Sequence, residues 1–112
     1  MKYALFLAIC LSTTLVWAGR LPGPGKATGI LAPGESHSKS ATFGAHTFAS
    51  VKVTGEGGDI DCYLLKDGVI IDVDDDDMNF CLLSWLPKEK GNYIIRIANH
   101  GSGDSKYVLE TN

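Results

Sequence analysis

The side chains with most chemistry to offer are carboxylates. Asp74, Asp75, Asp76 and Asp77 are consecutive, Asp72 stands just before them, and Asp59 and Asp61 lie on the other side of Asp67 and Gly68. Adjacent negative charges repel, so the run must leave regular structure as a loop or be neutralised by a cation. Calcium is the hard cation that suits several carboxylate oxygens. Its candidate ligands are Asp59, Asp61, Asp74, Asp75, Asp76 and Asp77. The EF-hand arrangement is excluded: counted from Asp72, the position that needs glycine holds Asp77 and the position that needs a bidentate glutamate holds Leu83. A calcium site in this chain is therefore of another kind. The competing reading is a solvated acidic loop that keeps the chain soluble and discourages pairing at a sheet edge.

Other reactive groups are sparse. Nucleophilic catalysis needs a hydroxyl or thiol with a base and an orienting group, and no G-x-S-x-G elbow is present. His37, His46 and His100 fall in or beside predicted turns and read as solvated loop residues. No two histidines have metal-binding spacing, and Cys62 and Cys81 do not form a C-x-x-C pair, so zinc is not indicated. No catalytic residue is expected, and the chain is read as non-enzymatic.

The elements that must position these groups are strands. Short runs of β-branched and aromatic residues are punctuated by Gly, Pro, Asn and Asp, with no sustained helical period. The pattern predicts eight strands, over 27–31, 38–43, 47–53, 60–66, 69–73, 80–86, 92–98 and 106–111. Alternation places Ala49, Val51 and Val53 on one side of the third, Ile60, Cys62 and Leu64 on one side of the fourth, and Cys81, Leu83 and Trp85 together on the sixth. Tyr93, Ile95 and Ile97 share a side of the seventh. Lys66 to Gly68 and the longer segment from Asn99 to Asp104 are read as hairpin connections. So many short strands in a single small domain must pack as two sheets, an all-β antiparallel sandwich of jelly-roll type.

The N-terminus sets the compartment. Met1 and Lys2 begin an apolar run from Tyr3 to Leu11, interrupted by Cys10 and weakening through Ser12, Thr13 and Thr14, with Val16 and Ala18 as a small-residue cleavage site. This predicts a signal peptide over 1–18, since a membrane span needs about 20 consecutive apolar residues. An extended Gly/Pro arm over 19–26 follows, then one domain over 27–112. With Lys2 removed, thirteen Asp and Glu outweigh the remaining Lys and Arg. Nucleic acid and anionic membrane surfaces are disfavoured as partners, and no membrane anchor remains after cleavage. Export favours a bridge between Cys62 and Cys81, which both face inward, over two buried free thiols. The bridge would close a loop of about 20 residues and contribute roughly 3 kcal/mol on chain-entropy grounds.

The segment Gly58-Asp59-Ile60-Asp61-Cys62-Tyr63-Leu64, the acidic loop, Pro87 to Gly91, Tyr93 to Asn99 and Tyr107-Val108-Leu109 together resemble the bacterial pre-peptidase C-terminal domain. The resemblance spans 27–111 and rests on a G-D-x-D-x-Y-L segment followed in order by G-x-Y-x-I-x-I-x-N. It implies a jelly-roll sandwich of the kind appended to secreted metalloproteases, serine proteases and collagenases, whose collagen-binding relatives bind calcium and matrix protein. Three departures stand beside it. No catalytic domain precedes the module; Cys62 occupies a position usually apolar; and Gly19 to Gly34 contain no Asp or Glu, although calcium-binding relatives draw ligands from an acidic linker. The expected function is a stand-alone secreted or periplasmic module that recognises a protein or an extracellular polymer and uses calcium. The alternative is a small inhibitor or immunity-type protein acting on an exported hydrolase.

Overall fold

The computed structural model describes residues 19–76 and 78–112. The signal peptide reading falls on 1–18 and lies outside the described residues. Nine strands follow in order: β1 (Arg20–Leu21), β2 (Gly25–Leu31), β3 (Ser36–Phe43), β4 (Ala49–Glu56), β5 (Ile60–Lys66), β6 (Val69–Asp74), β7 (Phe80–Trp85), β8 (Gly91–Asn99) and β9 (Ser105–Thr111). They form a five-stranded sheet in the order β1-β3-β8-β5-β6 and a four-stranded sheet in the order β2-β9-β4-β7. Every pairing is antiparallel. Successive strands alternate between the sheets except at β5–β6, the jelly-roll connectivity expected.

Period-two patterning builds the core. Buried and exposed residues alternate along β4 and β9, so Ala49, Val51, Val53, Tyr107 and Leu109 point inward against Ile60, Cys62, Leu64, Ile95 and Ile97 of the other sheet. Burying each such aliphatic side chain contributes on the order of 1.5–3 kcal/mol. At one end Phe43, Trp85 and Tyr93 close the sandwich edge to face, with the Phe43 and Trp85 rings 4.7 Å apart. Cys62 and Cys81 are bridged, with Cα atoms 6.1 Å apart, and the bridge ties β5 of one sheet to β7 of the other.

Three features depart from the sequence reading. The Gly/Pro arm joins the sandwich: Arg20 and Leu21 pair with Phe43 and Thr42, and β2 starts at Gly25. Pro22 and Pro24 cannot donate to a ladder. They confine pairing here to two residues at an edge rather than forbidding it. The segment from Asn99 to Asp104 is not a hairpin, because β8 and β9 belong to different sheets and the segment crosses between them. Among the described residues only the Asp67-Gly68 turn is a true hairpin, both residues having positive φ (52° and 79°) as a type I′ turn needs. Finally, His37 lies on β3, half-buried, with Nδ1 2.9 Å from the Tyr107 hydroxyl, so it is an ordered strand residue and not a loop residue.

Candidate functional site

Three loops meet at the end of the sandwich opposite the aromatic cluster, and the glycines among them allow it. Gly57 and Gly58 turn the chain at φ values of 72° and 80° that other residues rarely adopt. Gly101 sits so close to this turn that a Cβ would lie 2.8 Å from Gly58 Cα and 2.9 Å from the Asp59 nitrogen. That approach lets His100 N–H donate to the Asp59 carbonyl (2.8 Å) and Ile60 N–H to the Met78 carbonyl (3.1 Å). Asn99, fully buried, fastens the arrangement: its Nδ2 donates to the carbonyls of Leu31 (3.0 Å) and Gly103 (2.8 Å), and its Oδ1 accepts from Gly101 N–H (2.9 Å). The Ser105 hydroxyl donates to the Gly57 carbonyl at 3.0 Å.

Asp59 and Asp61 are set into this junction. Asp61, on the outer side of β5, is only 8% exposed, and its Oδ2 lies 3.1 Å from His100 Nε2. Asp59 Oδ1 and Asp61 Oδ1 are buried and receive no hydrogen bond. The two carboxyls are within hydrogen-bonding reach of each other and can bond only by sharing a proton. Burial above all, then the Asp59 charge, raises Asp61 from the ordinary carboxylate range; His100 opposes this and Asp75 adds to it. Burial, Asp61 and Asp75 likewise raise the Tyr63 hydroxyl, two residues along the same side of β5. The junction thus concentrates carboxyl groups partly out of water, with His100 set against Asp61.

The six candidate calcium ligands do not all come together. Asp59 and Asp61 converge, with Asp75 near enough to act on Asp61. Asp74 is occupied elsewhere, Oδ2 accepting from Leu82 N–H at 2.8 Å, and Asp76 Oδ1 accepts from Met78 N–H within its own turn at 3.0 Å. Asp77 lies outside the described residues. Among the described residues no three acidic, histidine or cysteine side chains form a metal-holding group. What the structure does show there is two buried carboxylate oxygens, Asp59 Oδ1 and Asp61 Oδ1, with no donor among the described residues. Sequence reading missed His100, which engages Asp61 across a sheet-to-sheet connection. No local signal marks that contact.

No protein-family model matches the sequence, and no curated protein matches it. Solved structures do. The chain is similar to the pre-peptidase C-terminal domain of a collagenase from Bacillus anthracis, with a TM-score of 0.66, 16% identity, and 79% of this chain and 88% of that chain covered. It is also similar to PliG of Aeromonas hydrophila, a periplasmic inhibitor of g-type lysozyme (TM-score 0.56, 14% identity, 80% and 84% covered). A third likeness is to the Yersinia pseudotuberculosis-derived mitogen (TM-score 0.57, 17% identity, 82% and 86% covered). At such identities the likeness is one of fold, the antiparallel sandwich that this chain shares with the pre-peptidase C-terminal domain and with the other two proteins.

Proposed function

We propose that the protein is an exported, non-catalytic binding module that recognises a protein or extracellular polymer and holds calcium at Asp59 and Asp61. The observation that carries the reading is the pair of buried carboxylate oxygens without donors, set in a loop junction that the disulfide and Asn99 keep rigid. Rigidity limits the entropy lost on binding, which suits a recognition surface. Cys62 and Cys81 are consumed in the bridge, and His37 and His100 are engaged with Tyr107 and Asp61, arrangements that support a non-catalytic role. The likeness in fold to the pre-peptidase C-terminal domain of a collagenase agrees with a small module of this architecture, and the disulfide supports export.

A second reading, an inhibitor of an exported hydrolase, is favoured by the likeness in fold to PliG. Capture on the immobilised protein from the organism's envelope and culture fluid, with calcium or a chelator, separates the two. A binding module retains a partner whose own activity is unaffected; an inhibitor retains a hydrolase and abolishes its turnover. Retention of nothing in either condition contradicts both.

A further inference from the structure

The two sheets each end, on one side of the sandwich, in an unusually apolar strand. β6 closes the five-stranded sheet and β7 the four-stranded one. Val69, Ile70, Ile71 and Val73 of β6 are 41–61% exposed, and Phe80 and Leu82 of β7 add to the same side. Ordinary edge strands are short, polar or covered, because free backbone groups invite another strand. Of the opposite edges, β1 has only two residues, and β2 (GKATGIL) exposes one large aliphatic side chain, Ile30, beside Lys26, Thr28 and two glycines. β6 instead carries large aliphatic residues on both of its faces, with Ile71 the extra residue of a bulge, since Leu64 pairs with Asp72 and Leu65 with Ile70.

What guards this edge is negative charge. Val73 N–H is taken by the Asp72 carboxylate (2.9 Å), and Leu82 N–H by the Asp74 carboxylate (2.8 Å). Asp67, Asp72, Asp74, Asp75 and Asp76 line the edge, and among the described residues none forms a salt bridge. No Lys or Arg occurs between Asp67 and Pro87. A second copy of this chain is a poor occupant: Asp67 precedes β6 and Asp74 to Asp76 end and follow it, so antiparallel self-pairing would set like charges side by side. A strand bearing Lys or Arg meets the opposite situation. It can take over the Val73 amide while its cations pair with the displaced Asp72 carboxylate and its neighbours.

We propose that β6 is the docking edge for an extended basic segment of a partner protein, which adds to the five-stranded sheet as a further strand. Main-chain hydrogen bonds would supply affinity and alternating apolar and cationic side chains specificity, as in other strand-addition complexes. The inference rests on the reading of the protein as a binding module and names the chemistry of its partner.

Fluorescence anisotropy tests it, using the protein as secreted from the full chain and labelled peptides of about ten residues. One peptide alternates Val and Lys, a second has Glu for Lys, and a third carries two central prolines in the Val/Lys frame. The expected result is binding of the Val/Lys peptide alone, weakened about tenfold or more between roughly 50 and 500 mM salt because exposed charge pairs are screened. Ile71→Lys, at a half-exposed position that tolerates a charge, should weaken that binding at least about tenfold with an unchanged melting temperature. Equal binding of the proline peptide, equal binding of the Glu peptide, or indifference to Ile71→Lys each overturns the proposal. Dimerisation of the wild-type protein that Ile71→Lys abolishes also overturns it, in favour of a second copy. If a captured natural partner is retained equally by Ile71→Lys, this edge is not its site while the binding-module reading stands; if no partner is captured at all, it is that reading that fails.

Discussion

Asp61 concentrates the site's energetics in one side chain. Its folded-state proton affinity is raised by burial and by Asp59. A raised carboxyl contributes stability below its unfolded pKa, and that contribution is lost as pH rises through the folded value. Without a cation, ionisation of Asp61 as pH rises therefore weakens the fold. Asp61→Asn should remove this penalty: an amide nitrogen in place of Oδ1 can donate to Asp59, while the amide oxygen still accepts from His100. We expect the variant to be more stable than wild type by about 1–3 kcal/mol at neutral pH in chelator, the cost of a buried unsatisfied polar group. The difference should vanish in acid, where Asp61 holds its proton. Denaturant midpoints across pH measure this, and a variant less stable than wild type at every pH contradicts it. His37 and His100 illustrate why such roles are hard to read from sequence. Each has its partner on a distant strand, Tyr107 or Asp61, and nothing in the neighbouring residues points to it. The acidic run, by contrast, was legible as a feature but not in its parts, because Asp74 and Asp76 are diverted to the backbone amides of Leu82 and Met78.

The strands themselves were largely written in the alternation. β5 spans the expected residues because Gly58 and the Asp67-Gly68 turn bound a run whose apolar residues alternate from Ile60 to Leu64, and the inward facing of Cys62 and Cys81 anticipated their bridge. Which sheet a strand joins was not legible: β8 and β9 look like partners along the chain yet lie in different layers, since connectivity is set by packing and not by local turn chemistry. The crossing segment depends on Asn99, and Asn99→Ala should destabilise the protein by about 1–3 kcal/mol by orphaning buried carbonyls and an amide. It should also release the 99–104 loop, detectable as faster amide exchange at Gly101; unchanged exchange there would argue against the anchoring role. Replacing both Cys62 and Cys81 by alanine should cost roughly 3 kcal/mol in denaturant stability. Mass spectrometry of the non-reduced protein should find neither cysteine open to alkylation.

At the scale of the whole molecule, the jelly roll holds a rigid frame with one charged loop end and one apolar, acid-guarded edge. The proposed calcium site is tested directly by calorimetric and thermal titration of the intact protein with calcium. A dissociation constant in the range of about 0.1–1 mM, usual for extracellular modules, is expected. At about 10 mM calcium the folded state would then gain roughly 1.4–2.7 kcal/mol by mass action. For a domain of this size that raises the melting temperature by roughly 6–20 °C. Asp61→Asn should remove both the heat and the rise, and magnesium at the same ionic strength should reproduce neither. Wild-type protein that gives no heat and no change in melting temperature with millimolar calcium would contradict a cation site at Asp59 and Asp61.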